Sequence, residues 1–122
     1  MTATRSQILC GVAEYIQRDV IPSITDVPLK LVLGTLAYQM RNVPDTFNAR
    51  IFDNPAVKML LVESGDSIDV DASLNGVVSS LQQYGGLTLT IPSIPLISKM
   101  EHTMTFNAQD IDRIKQYIGG AY

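Results

Sequence analysis

Apolar residues recur along most of this chain at the three- and four-residue spacing of helices. The densest run covers residues 26–42, where Lys30, Thr35 and Gln39 are the strongly polar residues between Leu29 and Met40. The run opens with Asp-Val-Pro. This is a helix start signal, because the aspartate can cap the helix and the proline fits its first turn. Its apolar positions go most of the way round a helix, which predicts that several elements pack against it. We therefore predict a buried central helix at 26–42, too short and too interrupted to span a bilayer.

Further helical segments are marked by local start and stop signals. Proline ends one segment, Asn-Pro begins another, and a Gly-Gly pair supplies a left-handed exit for a third. The predicted segments are residues 6–20, a short turn in 45–52, 55–62, a helix capped by Asp69 or Asp71 that ends near 84, and 108–118 after Asn107.

The apolar period changes from helical to two at Leu87. Leucine and isoleucine alternate with threonine over 87–91, and residues 101–106 alternate in the same way. This alternation predicts a β-hairpin with one covered face and one wet face. The predicted fold class is α+β, mostly α: a single domain of 122 residues, with about five helical segments around the central helix and the hairpin before the C-terminal helix.

The connection between the two predicted strands, residues 92–100, is apolar and contains two prolines. Hairpin loops are usually short and polar, so this segment either covers the core as a lid or projects as a docking surface. A two-stranded hairpin also leaves two open edges, and rows of threonine tolerate pairing with a further strand. The residues that we expect to contact a partner are Ile94, Leu96, Ile97, Met100, Thr103 and Thr105.

Composition and charge narrow the class of protein. Hydrophobic residues make up 46% of the chain, which excludes wholesale disorder. The formal net charge is −3 with no clustered basic run, so we expect no nucleic-acid partner. The single cysteine, the missing signal-peptide pattern and the missing transmembrane segment predict a cytoplasmic protein with no membrane partner.

Candidate catalytic chemistry is sparse. His102 is the one histidine, and the sequence has no nucleophile elbow, P-loop or dinucleotide-binding glycine motif. We therefore predict a protein that is not an enzyme and uses no cofactor. The acidic residues of segment 63–71 lack the glycine and closing glutamate of an EF-hand, so we interpret them as a solvated turn whose last aspartates cap a helix. These acidic residues are Glu63, Asp66, Asp69 and Asp71.

Four stretches, AEYIQRDVIPSI, IFDNPAVKMLL, LTLTIPSIPLI and TFNAQDIDRIKQYI, together resemble small phage- or prophage-encoded proteins. The resemblance implies an accessory or interaction protein made in an infected bacterial cell, where another phage or host protein is a candidate partner. It implies no catalytic residue.

The main functional hypothesis is a structural interaction protein that self-associates, as a homo-oligomer, through the hairpin and its 92–100 loop. One alternative is an oligomer whose clefts hold a small metabolite or nucleotide; a second is a metal-binding protein that uses the 63–71 acidic residues. The basic residues available to the first alternative are Arg5, Arg18, Arg41, Arg50, Lys99, Arg113 and Lys115.

Overall fold

Five α-helices and two small antiparallel sheets build the part of the chain that a computed structural model describes, residues 1–63, 67–91, 100–104 and 108–119. This confirms the predicted class, α+β and mostly α. The helices are α1 (Arg5–Tyr15), α2 (Val27–Asn42), α3 (Pro55–Lys58), α4 (Val70–Tyr84) and α5 (Ala108–Ile118). The strands are β1 (Thr2–Ala3), β2 (Phe52–Asp53), β3 (Ile68–Asp69), β4 (Leu87–Ile91) and β5 (Met100–Met104).

Helix α1 lies at the centre of the fold, because it packs against both α2 and α5. Its start is a capping box: the Thr4 hydroxyl accepts from the Gln7 N–H, and the Gln7 side chain accepts from the Thr4 N–H. Its Leu9 and Ala13 side chains have no exposed surface. The helix continues as a π-helical turn, Ile16–Val20, and ends in a 3₁₀ turn at Ile21–Ser23.

Helix α2 has the predicted bounds but not the predicted burial. The Asp26 carboxylate caps it, accepting from the Leu29 N–H at 3.0 Å. Leu33 and Met40 are fully buried against α1, whereas Val27 and Leu31 on the opposite side remain 63% and 68% exposed. The expectation that elements surround α2 on most sides is therefore wrong. The reason is tertiary: α2 packs on α1 and on the turns that follow it, and these cover one side.

The starts of α3 and α4 also lie where the sequence signals predict them, whereas the predicted cap of α5, Asn107, lies outside the described residues. Asn54 caps α3, which continues as a π-helical turn over Met59–Glu63. Of the two candidates for α4, Asp69 is the cap and accepts from the Ala72 N–H at 3.2 Å. Gly85 closes α4 in the left-handed region with a φ of 75°.

The larger sheet contains the predicted hairpin and one strand more. β4 and β5 pair antiparallel, with Leu89 opposite His102, which confirms the pairing. β2 pairs with the other edge of β4, Phe52 opposite Leu89, so one of the two edges expected to be open is partly covered. A second sheet joins β1 to β3, with Ala3 opposite Ile68, and holds the N-terminus against the start of α4.

The core lies between α1, α4, α5 and the helix that begins at α3. Val70, Leu74, Val77 and Leu81 of α4, Leu60 and Leu61 after α3, and Ile111 and Ile114 of α5 are all buried in it. No helix within the described ranges is long and apolar enough to cross a membrane.

Candidate interaction surface

The outward side of α2 carries an apolar stripe of four residues: Val27, Leu31, Gly34 and Tyr38. Their spacings of four, three and four residues place them along one side of the helix. Leu31 and Tyr38 are 68% and 63% exposed, although both are large apolar side chains. A Cβ built on Gly34 would meet no atom within 4 Å, so the stripe has a gap at its middle. We call these four residues the α2 stripe.

Two polar side chains beside the α2 stripe bond to carbonyls of the stripe's own residues. The Thr35 hydroxyl donates to the Leu31 carbonyl at 2.9 Å, and the Asn42 amide donates to the Tyr38 carbonyl at 3.0 Å. Both groups thus bond to the helix backbone. Contiguous exposed apolar patches larger than a few hundred Å² are rare on monomers, and the largest apolar patch on a protein surface often marks an interaction site.

A charged network fixes α2 to α1 beneath the stripe. The Glu14 carboxylate receives Arg18 from its own helix and Arg41 from α2, and Arg41 also donates to Gln17 at 2.6 Å. The hydrogen bond from Arg41 is the main cause that lowers the pKa of Glu14, against the effect of its burial. Glu14 and Arg18 are four residues apart, a spacing that predicts their pairing on the exposed polar side of a helix, whereas Glu14 is only 7% exposed.

A second polar cluster joins the end of α1 to α5. The Asp19 carboxylate accepts from the Tyr117 hydroxyl at 3.1 Å and from the Arg113 guanidinium at 3.2 Å. The pKa of Tyr117 is raised, mainly by burial and to a smaller extent by the contact with Asp19. The pKa of Tyr15 is also raised, mainly by burial and to a smaller extent by the charge of Asp110. These polar groups are hydrogen-bonded to one another between two packed helices, so we interpret the cluster as structural.

The predicted partner-binding residues fall mostly outside the described residues. Four of them, Ile94, Leu96, Ile97 and Thr105, lie outside, as does the 92–99 segment. Met100 and Thr103 have their backbone in β5, and their side chains lie outside the description. Within the described residues no strand pairs with the far edge of β5. The predicted role of these residues stays a prediction.

The acidic residues of segment 63–71 that the structure describes form no metal-binding group. Asp69 caps α4, while Asp71 pairs with the Met1 amine at 3.3 Å and with Lys115 at 3.5 Å. Glu63 is exposed and Asp66 lies outside the described residues. In the part of the chain that the structure describes, no group of three or more His, Cys, Asp or Glu residues is placed to hold a metal ion.

Four of the seven basic residues of the metabolite-binding alternative already make ion pairs, among them Lys115 with Asp71, and Lys99 lies outside the described residues. Arg18 and Arg41 pair with Glu14, and Arg113 pairs with Asp19. Arg5 and Arg50 instead line one cleft, a juxtaposition that the sequence does not signal, since they come from separate segments.

Comparisons with protein-family models, with curated proteins and with solved structures find no match. The resemblance to phage-encoded proteins stays a prediction from the sequence.

Proposed function

We propose that this chain is a non-enzymatic interaction module that forms a homodimer through the α2 stripe. The observation that carries the proposal is the exposed side of α2, with three large apolar side chains around a glycine gap. We also propose that the protein acts in a reducing, cytoplasmic-type compartment, because its sequence contains a single cysteine.

The spacing of the α2 stripe favours a second copy of this chain as the occupant. Intervals of four, three and four residues read the same in both directions, so an antiparallel copy presents an identical stripe. In that register each Leu31 lies against the partner subunit's Gly34, and each Tyr38 lies against the partner subunit's Val27. Leucine then meets glycine and tyrosine meets the smaller valine across a two-fold axis, which gives a self-complementary interface.

Charge supports the antiparallel arrangement. Antiparallel helices place the positive end of one macrodipole beside the negative end of the other. Lys30 comes opposite the partner subunit's Thr35, whereas parallel helices would bring two Lys30 ammonium groups together. Like charges placed opposite each other oppose association, so the parallel dimer is disfavoured.

The size of the surface predicts weak association. The α2 stripe offers on the order of a few hundred Å² per copy, below the roughly 800 Å² per partner of a standard stable interface. We therefore expect a dissociation constant in the micromolar range. The far edge of β5 and the 92–100 loop remain the second surface, which would give larger oligomers if both were used.

Two variants of α2 with a matched control test the dimer. Molar mass is measured by light scattering and sedimentation over a hundredfold concentration range, and circular dichroism monitors the fold. Leu31→Glu and Gly34→Gln are expected to remain folded and to dissociate at concentrations where the wild type is dimeric. Gly76→Gln on α4 is the control, because Gly76 also has nothing within 4 Å of an added Cβ. A wild type that is monomeric throughout, or a dimer that both α2 variants leave intact, would refute the proposal.

A further inference from the structure

A cleft with a volume of about 290 Å³ lies away from the α2 stripe. It is formed by the first turn of α1, the segment before β2 and the end of the π-helical turn after α3. Its walls include Arg5, Phe47, Asn48, Arg50, Leu61 and Val62. The volume is at the lower limit for small-molecule pockets, so a ligand here must be small.

One wall of the cleft is a guanidinium that three backbone carbonyls hold in place. Arg5 donates from Nε to the Leu61 carbonyl at 2.5 Å, from Nη1 to Pro44 at 3.2 Å and from Nη2 to Phe47 at 3.1 Å. Leu61 lies in the last turn of its helix, where carbonyls have no intrahelical partner, so Arg5 acts as a cap. Three of its five N–H groups are used in this way, and two remain.

The charge of Arg5 has no carboxylate to balance it in the part of the chain that the structure describes. The acids nearest to the cleft in sequence are Asp45 and Glu63, and neither makes an ion pair with Arg5 or Arg50 within the described ranges. Helix-end carbonyls offset about half an elementary charge, less than the full charge of one guanidinium. Arg5 and Arg50 are the charged residues among the described residues that line the cleft, and both are cationic, although the formal net charge of the chain is −3.

The polar side chains that line the cleft are donors. Asn48 accepts from the Arg50 backbone N–H through Oδ1 at 3.1 Å, which leaves its amide nitrogen to donate. Arg5 is fixed by its carbonyls, whereas Arg50 is exposed on the rim. A fixed guanidinium, a second guanidinium on the rim and an amide donor together match the oxygen atoms of a carboxylate or phosphate group.

We propose that this cleft binds a small anion that carries a carboxylate or a phosphate group. Arg5 provides a preorganised positive charge at the wall, and Arg50 closes on the ligand from the rim. The site is complete within one subunit, so it does not depend on the α2 dimer.

The test is a titration of the full-length protein with citrate, inorganic phosphate and adenosine monophosphate at constant ionic strength. Backbone amide shifts in ¹H–¹⁵N spectra report the site, and thermal unfolding reports linkage. We expect saturable shifts at residues 47–50 and an unfolding temperature that rises with ligand concentration. Comparing the affinities for citrate and phosphate separates carboxylate binding from phosphate binding. Comparing the affinities for adenosine monophosphate and phosphate shows whether a nucleoside strengthens binding.

Arg50→Gln removes one guanidinium without touching the backbone carbonyls that Arg5 holds. Binding is expected to weaken about tenfold or more, the loss that one charge-assisted hydrogen bond implies. Lys30→Gln, a charge removal on α2, is the matched control and is expected to bind as the wild type does. Absence of saturable shifts at residues 47–50 with all three anions would overturn the proposal, as would equal weakening by the Arg50 and Lys30 variants. Leu31→Glu should bind the anion normally, so that failure of the dimer and failure of this site are distinguishable.

Discussion

Helices α1 and α5 pack closely at Gly11, which makes this position informative for a stability measurement. A Cβ built on Gly11 would lie 2.9 Å from the Ile118 backbone nitrogen and 3.1 Å from the Ile118 Cα, and closer still to the Ile118 side chain. The side chain can rotate away, but the backbone atoms move only if α5 moves. Gly11→Ala therefore pushes the end of α5 away from α1.

Two opposing terms set the size of the effect. Alanine in place of a helical glycine stabilises by roughly 0.5–1 kcal/mol when there is space for the methyl group. Overpacking at a close contact costs about 1–3 kcal/mol. The net expectation for Gly11→Ala is a loss of about 1–2 kcal/mol, because the contact is with backbone. Gly76→Ala has no atom within 4 Å of its new Cβ, so it should show the favourable term alone.

Urea unfolding followed by circular dichroism measures both variants on one scale. We expect the midpoints to shift in opposite directions, downward for Gly11→Ala and upward for Gly76→Ala, with the denaturant slope unchanged. The direction of the midpoint shift for Gly11→Ala is the result that tests the close packing against Ile118. A Gly11→Ala variant as stable as Gly76→Ala would show that α5 does not pack closely on Gly11 and would refute the reasoning.

Two further stability predictions concern polar groups inside the fold. Glu14→Gln removes the charge that Arg41 and Arg18 contact and should cost about 1–3 kcal/mol at neutral pH. Because the pKa of Glu14 is lowered in the folded state, its contribution is present above about pH 4.3 and is lost as the pH falls through the lower folded pKa. Urea midpoints from pH 7 to pH 3 should therefore fall more steeply for the wild type than for the variant, and parallel curves would contradict this. Asn54→Ala removes a buried cap and should cost about 1–2 kcal/mol by the same assay; Asn48→Ala, at an exposed cap of a 3₁₀ turn, is the control, and equal losses would contradict the role of burial.

Features with a local cause were predictable from the sequence. Asp26, Asn54 and Asp69 cap the residues that directly follow them, and Gly85 supplies a left-handed turn, so each signal is complete within a few residues. The hairpin was predictable because its alternation extends over five residues of β4.

Features with a tertiary cause were not predictable. Strand β2 has two residues, too few to show alternation. Glu14 is buried because Arg41 reaches it from another helix, and no local pattern encodes that approach. Arg5 likewise donates to the carbonyls of Pro44, Phe47 and Leu61, which lie 39, 42 and 56 positions further along the chain. The apolar content of α2 is visible in the sequence. Whether its own subunit or a second one covers that apolar surface depends on how many elements of the fold pack against α2.

The stability of the folded protein is expected to depend on protein concentration. The monomer fold does not explain why Leu31 and Tyr38 are apolar, since polar residues of good helix propensity would serve an exposed helix side equally well. If a second copy covers the α2 stripe, mass action makes the folded state more stable as protein concentration rises. The unfolding temperature of the wild type should therefore increase between about 1 and 100 times the dissociation constant, by the equivalent of roughly 2–3 kcal/mol. For Leu31→Glu the temperature should not change with concentration, and at high dilution the two proteins should differ by no more than about 0.5 kcal/mol, as surface substitutions do. A variant that is also destabilised at high dilution would instead make Leu31 part of the monomer's own packing, and the apolar side of α2 would need another explanation.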